Sequence, residues 1–223
     1  MKQCVIFDMD GVIIDSEPIH QACERKIFKL LGINVSDEDH NALVGATDET
    51  MWTRLGNLYD LPIKVSEAIQ LKKSLYLEYL KQETYIKPIP YIPELIADLY
   101  KNNFSLALAS SSPHEQIDYI LTGFDLKRYF QAVISGEEVR AGKPHPEIFL
   151  RAAELVGVDP SLCAVIEDSY NGVTAAKSAN MICIGFVNPN SGNQDLSKAD
   201  KIVSSFREVS VPLVNKLLKC PIC

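Results

Sequence analysis

Short apolar segments that alternate with helical stretches restrict the fold of this chain more than any other feature. We predict strands at residues 5–7, 104–110, 131–135, 163–167 and 182–187, and a weaker strand at 201–204. Near-continuous apolar strands separated by helices are typical of a parallel sheet that helices cover on both faces. The pattern therefore predicts an α/β fold with a Rossmann-like, doubly wound parallel sheet as its core.

Residues 16–87 interrupt this alternation with a helical pattern. Ser16 and Gly32 have the residue types that begin and end a first helix, Ser36 resembles a helix cap, and Ser66 opens a third amphipathic run. Prolines at 87–93 are typical of a linker. We expect an α/β core formed by residues 1–15 and 88–223, with residues 16–87 inserted as a helical domain.

Composition restricts the possible partners. The net charge is -7 and the chain has no block of basic residues, which argues against a nucleic-acid surface. No apolar run reaches the roughly 18 residues of a membrane span, and the first residues lack the pattern of a signal peptide. We expect a cytoplasmic protein with no nucleic-acid or membrane partner, and a monomer.

The six cysteines are scattered along the chain. Cys4, Cys163 and Cys183 lie in apolar segments, so we predict buried, reduced thiols. The sequence CPIC at 220–223 has metal-ligand spacing but no second pair or neighbouring histidines, and we interpret it as a loose tail.

Polar side chains lie at or just after the ends of three predicted strands. These side chains are Asp8, Asp10, Ser110, Glu167 and Asp168. Doubly wound sheets bind ligands beyond the carboxyl ends of their strands, where the strand order reverses. The positions therefore predict one shared crevice rather than separate surface sites.

The chemistry of these side chains indicates a cation. Asp8 and Asp10 are two residues apart, so in an extended segment their carboxylates point the same way and repel each other. Carboxylate oxygens suit Mg²⁺, while Lys143 and the Ser110 hydroxyl would be available for an anion. Each residue alone also fits a turn, a helix cap or a solvated side chain, but their joint occurrence at strand ends favours catalysis.

Four segments resemble the motifs of a known family. They are DMDG at 8–11, LASSS at 108–112, GKPHP at 142–146 and IEDS at 166–169. In this order they resemble the four motifs of the haloacid dehalogenase superfamily. Within it, the chain is most similar to the β-phosphoglucomutase-like phosphatases, which share DGVIxDSEP and GKPxPEIF. The resemblance spans almost the whole chain, and it makes the helical insertion a cap domain.

The resemblance implies a role for each core residue. Asp8 would be the nucleophile that forms an aspartyl phosphate, and Asp10 would protonate the leaving oxygen and then activate water. Ser110 would bind the phosphoryl oxygens, and Lys143 would neutralise charge between Asp8 and the phosphate.

The resemblance also implies the ligands of the cofactor and of the substrate. The Mg²⁺ ligands would be Asp8, Asp10 (through its backbone carbonyl) and Asp168, with Glu167 as a direct or water-mediated ligand. Ser111, Ser112 and Asn171 would assist at the phosphate. In the cap, the candidate substrate-binding loop is 43–52, and the candidate residues are His20, Gly45, Thr47, Asp48 and Lys72.

Asp48 favours a phosphatase over a mutase. The β-phosphoglucomutases keep an arginine at the matching position, where it binds the second phosphate of a sugar bisphosphate. A carboxylate would repel that phosphate, so the expected substrate is a small phosphorylated metabolite such as a sugar monophosphate. Arg54 or Lys72 could still supply positive charge, which keeps a phosphosugar mutase as the alternative. Tyr91 also departs from the family, which usually has glycine there.

Three other activities fit less well. A dehalogenase has no use for the carboxyl group of Asp10, and phosphonate cleavage needs a Schiff-base lysine in the cap. A binding protein without turnover has no physical need for the complete set of Asp8, Asp10, Ser110, Lys143 and Asp168.

Overall fold

The computed structural model describes residues 2–44, 46–82 and 86–219. These residues form two compact units. The first takes its residues from Met1–Asp15, Lys87–Pro189 and Gln194–Cys223, and the second from Ser16–Ile86 and Asn190–Asn193.

The second unit is helical. Its helices are α1 (Glu17–Leu31), α2 (Asp37–Asn41), α3 (Asp48–Tyr59) and α4 (Val65–Gln82). Gly32 ends α1 in the left-handed conformation, and the Ser36 side chain caps α2 by accepting from the Asp39 amide. Interpreting 43–52 as a loop was wrong in its second half, because α3 begins at Asp48 after the Thr47 cap.

Large side chains fill the interior of the helical unit. Trp52 on α3, Ile27 on α1 and Tyr76 on α4 are almost fully buried. The Phe28 ring meets the Trp52 indole edge to face, with centroids 5.8 Å apart. Because Trp52 is the one tryptophan of the chain, its fluorescence reports on this unit.

The first unit contains a six-stranded sheet with the order β3-β2-β1-β4-β5-β6. Its strands are β1 (Cys4–Phe7), β2 (Ser105–Ser110), β3 (Ala132–Ser135), β4 (Cys163–Glu167), β5 (Ile182–Phe186) and β6 (Lys201–Val203). Every neighbouring pair is parallel. The strand order reverses between β1 and β4, so the crevice of this sheet opens beyond their carboxyl ends. The predicted α/β class is confirmed.

In the described part of the chain, the α-helices that accompany the sheet are α5 (Ile92–Lys101), α6 (His114–Gly123), α7 (Glu147–Val156), α8 (Tyr170–Ser178) and α9 (Val211–Lys219). Apolar side chains of α7 and α8, among them Phe149 and Val173, join those of β1, β2 and β4 in one buried cluster. Burial of these side chains stabilises the sheet that carries the strand-end residues.

Tyr91, which stands where glycine was expected, adopts a conformation that glycine favours. Its φ is 69° and it directly precedes α5. The Arg207 guanidinium lies over the Tyr91 ring, 4.1 Å from the centroid. This cation–π contact helps to offset the strain of the positive φ.

The cysteines agree with the sequence prediction as far as the structure describes them. Cys4, Cys163 and Cys183 are free and buried, as is Cys23. Residues 220–223 lie outside the described residues. Across the ranges that the structure covers, no helix combines the length and apolar character that a membrane crossing requires.

Candidate active site

Asp8 lies at the centre of the site because β1 ends at the residue before it. Its amide donates to the Ile166 carbonyl of β4 at 3.0 Å, which continues the ladder between the two central strands. The side chain is only 6% exposed. The two central strands thus hold a carboxylate at the point where the strand order reverses.

Lys143 joins Asp8 to the acidic end of β4. Its Nζ lies 2.5 Å from Asp8 Oδ1 and 2.7 Å from Glu167 Oε1, and it also donates to the Ala109 carbonyl at 3.1 Å. All three charged side chains are buried. One ammonium group is therefore shared by two carboxylates in a water-poor environment.

Burial and neighbouring charge set the protonation of these groups. Burial raises the pKa of Asp8 to about 7, with Glu167 and Asp10 adding to the rise and Lys143 opposing it. Burial acts to lower the pKa of Lys143, but the carboxylates of Asp8 and Glu167 outweigh it and raise that pKa. The Asp8 carboxyl therefore holds its proton more tightly than an ordinary aspartate, because Lys143 does not fully offset the effect of burial.

Glu167 is held from both sides. Its Oε2 accepts from the amides of Asp168 and Ser169 at 2.9 and 2.8 Å and from Ser169 Oγ at 2.9 Å. A Cβ at position 172 would lie 1.7 Å from Glu167 Oε1, so only glycine fits there. Because Lys143 contacts Oε1, both carboxylate oxygens of Glu167 already have protein partners.

Asp8, Glu167 and Asp168 form a group that fits a metal ion. One carboxylate oxygen from each lies within 4.8 Å of the others, and all three residues are buried. Gly11 makes room for this group, because it has a φ of 78° and a Cβ there would lie 1.9 Å from Asp168 Oδ2. Three buried carboxylates with one lysine fit a hard divalent cation such as Mg²⁺.

Asp10 is held by two serines, one at the end of β2 and one just after it. Ser112 Oγ donates to Asp10 Oδ2 at 2.6 Å, and Ser110 Oγ lies 3.4 Å from the same oxygen. The Ser112 carbonyl in turn accepts from Ser135 Oγ at 2.7 Å. Ser112, predicted only as a helper, thus contacts the second carboxylate more closely than Ser110 does.

The remaining core candidates are Ser111 and Asn171. Ser111 is exposed, between Ser110 and Ser112. Asn171 lies in the first turn of α8, which follows Asp168 after the Ser169 cap.

The substrate-binding candidates of the helical unit have partners within that unit. Lys72 Nζ lies 2.6 Å from both Asp48 Oδ1 and Glu24 Oε1, and Glu24 Oε2 lies 2.6 Å from His40 Nε2. Lys72 is itself buried and its ammonium group is paired with two carboxylates. The substrate-binding roles of Lys72 and Asp48 stay predictions.

The other substrate-binding candidates of the helical unit are Thr47, His20 and Gly45. Thr47 caps α3 through a bond from the Thr50 amide to its Oγ1 at 3.2 Å. The His20 ring stacks on the Tyr76 ring with centroids 4.3 Å apart. Gly45 lies outside the described residues. The three roles stay predictions.

A family model described as haloacid dehalogenase-like hydrolase matches residues 5–186. The match contains all four motif segments and the helical insertion. The chain belongs to the haloacid dehalogenase-like hydrolases. The prediction of a hydrolase of this family is confirmed.

Two relatives of this hydrolase are named as phosphatases, and one solved structure that it resembles is a mutase. Hexitol phosphatase B of Escherichia coli (strain K12) is 31% identical over 212 residues, which cover 92% of this chain and 93% of the relative. A phosphorylated carbohydrates phosphatase of Thermotoga maritima is 33% identical over 189 residues, covering 80% and 82%. The crystal structure of a β-phosphoglucomutase from Clostridium difficile superposes with a TM-score of 0.81 at 27% identity, covering 98% of this chain and 97% of that one.

Two features of this hydrolase were not predicted from its sequence. Glu24 was not identified as the shared partner of Lys72 and His40, although it is three residues before the buried Ile27, a spacing that places both on one helix face. A charged residue on an apolar face indicates a buried partner. Nothing in the sequence except the run of three serines pointed to the contact between Ser112 and Asp10.

Proposed function

We propose that this hydrolase is a Mg²⁺-dependent phosphatase that hydrolyses a small phosphorylated carbohydrate through an aspartyl phosphate at Asp8. The observation that carries the proposal is the position of Asp8, which directly follows β1, contacts Lys143 and lies within 4.8 Å of the acidic pair Glu167 and Asp168. Such a group can hold the phosphate and the cation next to the Asp8 oxygen that attacks phosphorus.

In the first step, an Asp8 carboxylate oxygen forms a bond to phosphorus while the bond from phosphorus to the ester oxygen of the substrate breaks. Lys143 neutralises charge beside Asp8 and keeps the carboxylate oriented through its 2.5 Å contact. Asp10 gives its proton to the departing ester oxygen, which leaves as an alcohol.

In the second step, Asp10 acts as a base. It takes a proton from water, the water oxygen bonds to phosphorus, and the bond between phosphorus and Asp8 breaks to release inorganic phosphate. Ser112 and Ser110 support this role because their hydroxyls hold one Asp10 oxygen in place.

Asp8, Asp168 and the Asp10 backbone carbonyl would hold Mg²⁺, and Glu167 would act through water because both of its oxygens already accept hydrogen bonds. When bound, the ion neutralises charge on the transferring phosphoryl group.

The substrate class rests on the relatives and on the helical unit. Two relatives are named for phosphorylated carbohydrates or hexitols. In the helical unit, Lys72 is matched by Glu24 and Asp48, so this pairing leaves little positive charge for a second phosphate. Asp48 could instead accept hydrogen bonds from sugar or polyol hydroxyls. A monophosphate fits this arrangement better than a bisphosphate.

A phosphosugar mutase is the second candidate, favoured by the structural similarity to a β-phosphoglucomutase. It would use the same aspartyl phosphate but return the phosphoryl group to the sugar. The two are separated by incubating hexose 1-phosphate with a bisphosphate primer and measuring 6-phosphate against free phosphate.

The proposal is tested by phosphate release from a panel of hexitol and hexose monophosphates with Mg²⁺, using chelator-treated protein as the control. We expect release from at least one carbohydrate phosphate, and loss of it with chelator. No release across the panel, or equal release without Mg²⁺, would overturn the proposal.

A further inference from the structure

Asn188 contacts the loop that carries the two candidate catalytic carboxylates. It lies two residues beyond the end of β5 and is only 6% exposed. Its Nδ2 donates to the Gly11 carbonyl at 3.0 Å and lies 3.4 Å from Asp15 Oδ1. A side-chain amide has two N–H donors, so one group can make both contacts.

The hydrogen bond from Asn188 to the Gly11 carbonyl helps to hold the turn after Asp10 in place. The Gly11 amide donates to the Ile14 carbonyl at 2.7 Å, and because the peptide is planar this also fixes the direction of the Asp10 carbonyl. Asn188 holds the next peptide through the Gly11 carbonyl. On its other side, Gly11 lies so close to the Asp168 carboxylate that a Cβ would not fit.

The chain segments of the α/β unit that connect to the helical unit are bonded to this turn. Asp15 is the last residue of the α/β unit before α1, and Asn188 directly precedes Pro189, where that unit is interrupted again. The third connection returns at Lys87, and beside it Ile14 forms a β-bridge with Pro88. Within the α/β unit, all three segments are therefore bonded to the turn that follows Asp10.

We propose that Asn188 is a positioning residue for phosphoryl transfer, one that holds the turn at Gly11 against Asp168 and thereby sets the placement of Asp8 and the Asp10 carbonyl. This inference rests on the proposed function. Asn188 itself does not need to touch the substrate. The amide is required because both of its partners are oxygens, and an aspartate in its place would present an acceptor to two acceptors.

The test compares Asn188→Asp, which keeps the shape and removes the amide donors, with Asn188→Gln, which keeps the amide. Asn180→Asp is the matched control, because this exposed asparagine precedes β5 and has a φ of 57°, which aspartate tolerates. All are assayed as full-length chains on a carbohydrate phosphate that the wild type hydrolyses. The folded fraction is measured by circular dichroism and Trp52 fluorescence.

We expect Asn188→Asp to lower kcat per folded molecule by about 10²-fold, the size of loss that a small misplacement of reacting groups causes. KM for the substrate should change less than about threefold, and Mg²⁺ half-saturation should rise. Asn188→Gln should recover at least part of kcat, and Asn180→Asp should match the wild type.

A kcat per folded molecule within twofold of wild type in Asn188→Asp would overturn the inference. So would a variant whose loss is explained by its unfolded fraction alone. If Asn188→Asp does not fold, Asn188→Ser, which also lacks the amide, decides: a lower kcat per folded molecule with unchanged KM supports positioning, and wild-type kinetics with only a lower melting temperature contradicts it. Failure of the wild type on every phosphate would contradict the proposed function instead.

Discussion

Each unit of this molecule buries one lysine between two carboxylates. In the α/β unit Lys143 lies 2.5 Å from Asp8 and 2.7 Å from Glu167. In the helical unit Lys72 lies 2.6 Å from Asp48 and 2.6 Å from Glu24. The local geometry is almost the same, yet the surrounding charge differs.

The difference lies in the fourth group. In the helical unit this group is His40. Burial acts to raise the pKa of Glu24, but the hydrogen bond between Glu24 and His40 and the charge of Lys72 outweigh burial and lower that pKa. In the α/β unit the neighbours are further carboxylates, and burial raises the pKa of Asp8 to about 7. A buried lysine between acids is therefore not itself a sign of catalysis. Excess negative charge at the ends of parallel strands is the stronger indication, because it favours a cation and a reactive carboxylate.

The largest predicted effect separates two of the lysine-bound acids, Asp8 of the α/β unit and Asp48 of the helical unit. Asp8→Asn removes the nucleophile, and turnover should fall on the order of 10⁴-fold. Asp48→Asn makes the same chemical change in the other unit and should retain most of kcat, with any effect in KM. Steady-state phosphate release measures both variants. Equal losses in the two would remove the distinction between the units.

The second prediction concerns the lysine at the proposed site. Lys143→Met leaves Asp8 and Glu167 without their shared cation, and kcat should fall by about 10²–10³-fold because charge near the phosphoryl group is no longer neutralised. The kinetics are measured at saturating Mg²⁺, so that loss of metal binding is not mistaken for this effect. Wild-type kcat in a folded Lys143→Met protein would contradict the assigned role.

The third prediction concerns the lysine of the helical unit. Lys72→Met leaves Glu24 and Asp48 buried or partly buried without their cation, which should destabilise the fold by about 3–5 kcal/mol. Urea unfolding followed by Trp52 fluorescence reports this loss in the unit where the change is made. A midpoint unchanged from wild type would show that the network contributes nothing to stability.

The fourth and smallest effect is a pH dependence of opposite sign in the two units. The raised pKa of Asp8 stabilises the metal-free fold below about 4, and this contribution is lost as the pH rises through about 7. The lowered pKa of Glu24 stabilises the fold above its usual 4.5, and this is lost as the pH falls through the lowered value.

Two variants isolate these contributions. Relative to Asp8→Asn, the chelated wild type should lose stability between pH 4 and 7. Relative to Glu24→Gln, it should lose stability below pH 4.5. Unfolding midpoints measured across pH check both differences, and slopes of the same sign would contradict the pKa directions.

The sheet was predictable from sequence, but the helical unit was predictable only in part. The predicted strand at 163–167 coincides with β4. A strand covered on both faces is a continuous apolar run, which can be identified without knowing which strands it pairs with. The start of α3 was missed at Thr47, although a threonine followed by two acidic residues is a helix-start signal.

The proposed site was predictable where it follows strand ends. That rule identified Asp8, Glu167 and Asp168, and applied to β5 it would also have drawn attention to Asn188. The pairing of Glu24 with His40 and Lys72 could not be predicted, because it joins different helices whose packing the sequence pattern does not specify.

Identification of the phosphorylated residue tests the central claim most directly. Protein mixed with a hydrolysed carbohydrate phosphate is quenched within one turnover, digested and analysed by mass spectrometry. We predict one added phosphoryl group on the peptide that contains Asp8, labile to hydroxylamine and absent from Asp8→Asn. A phosphoryl group on another residue, or an Asp8→Asn protein that turns over at the wild-type rate, would contradict the account.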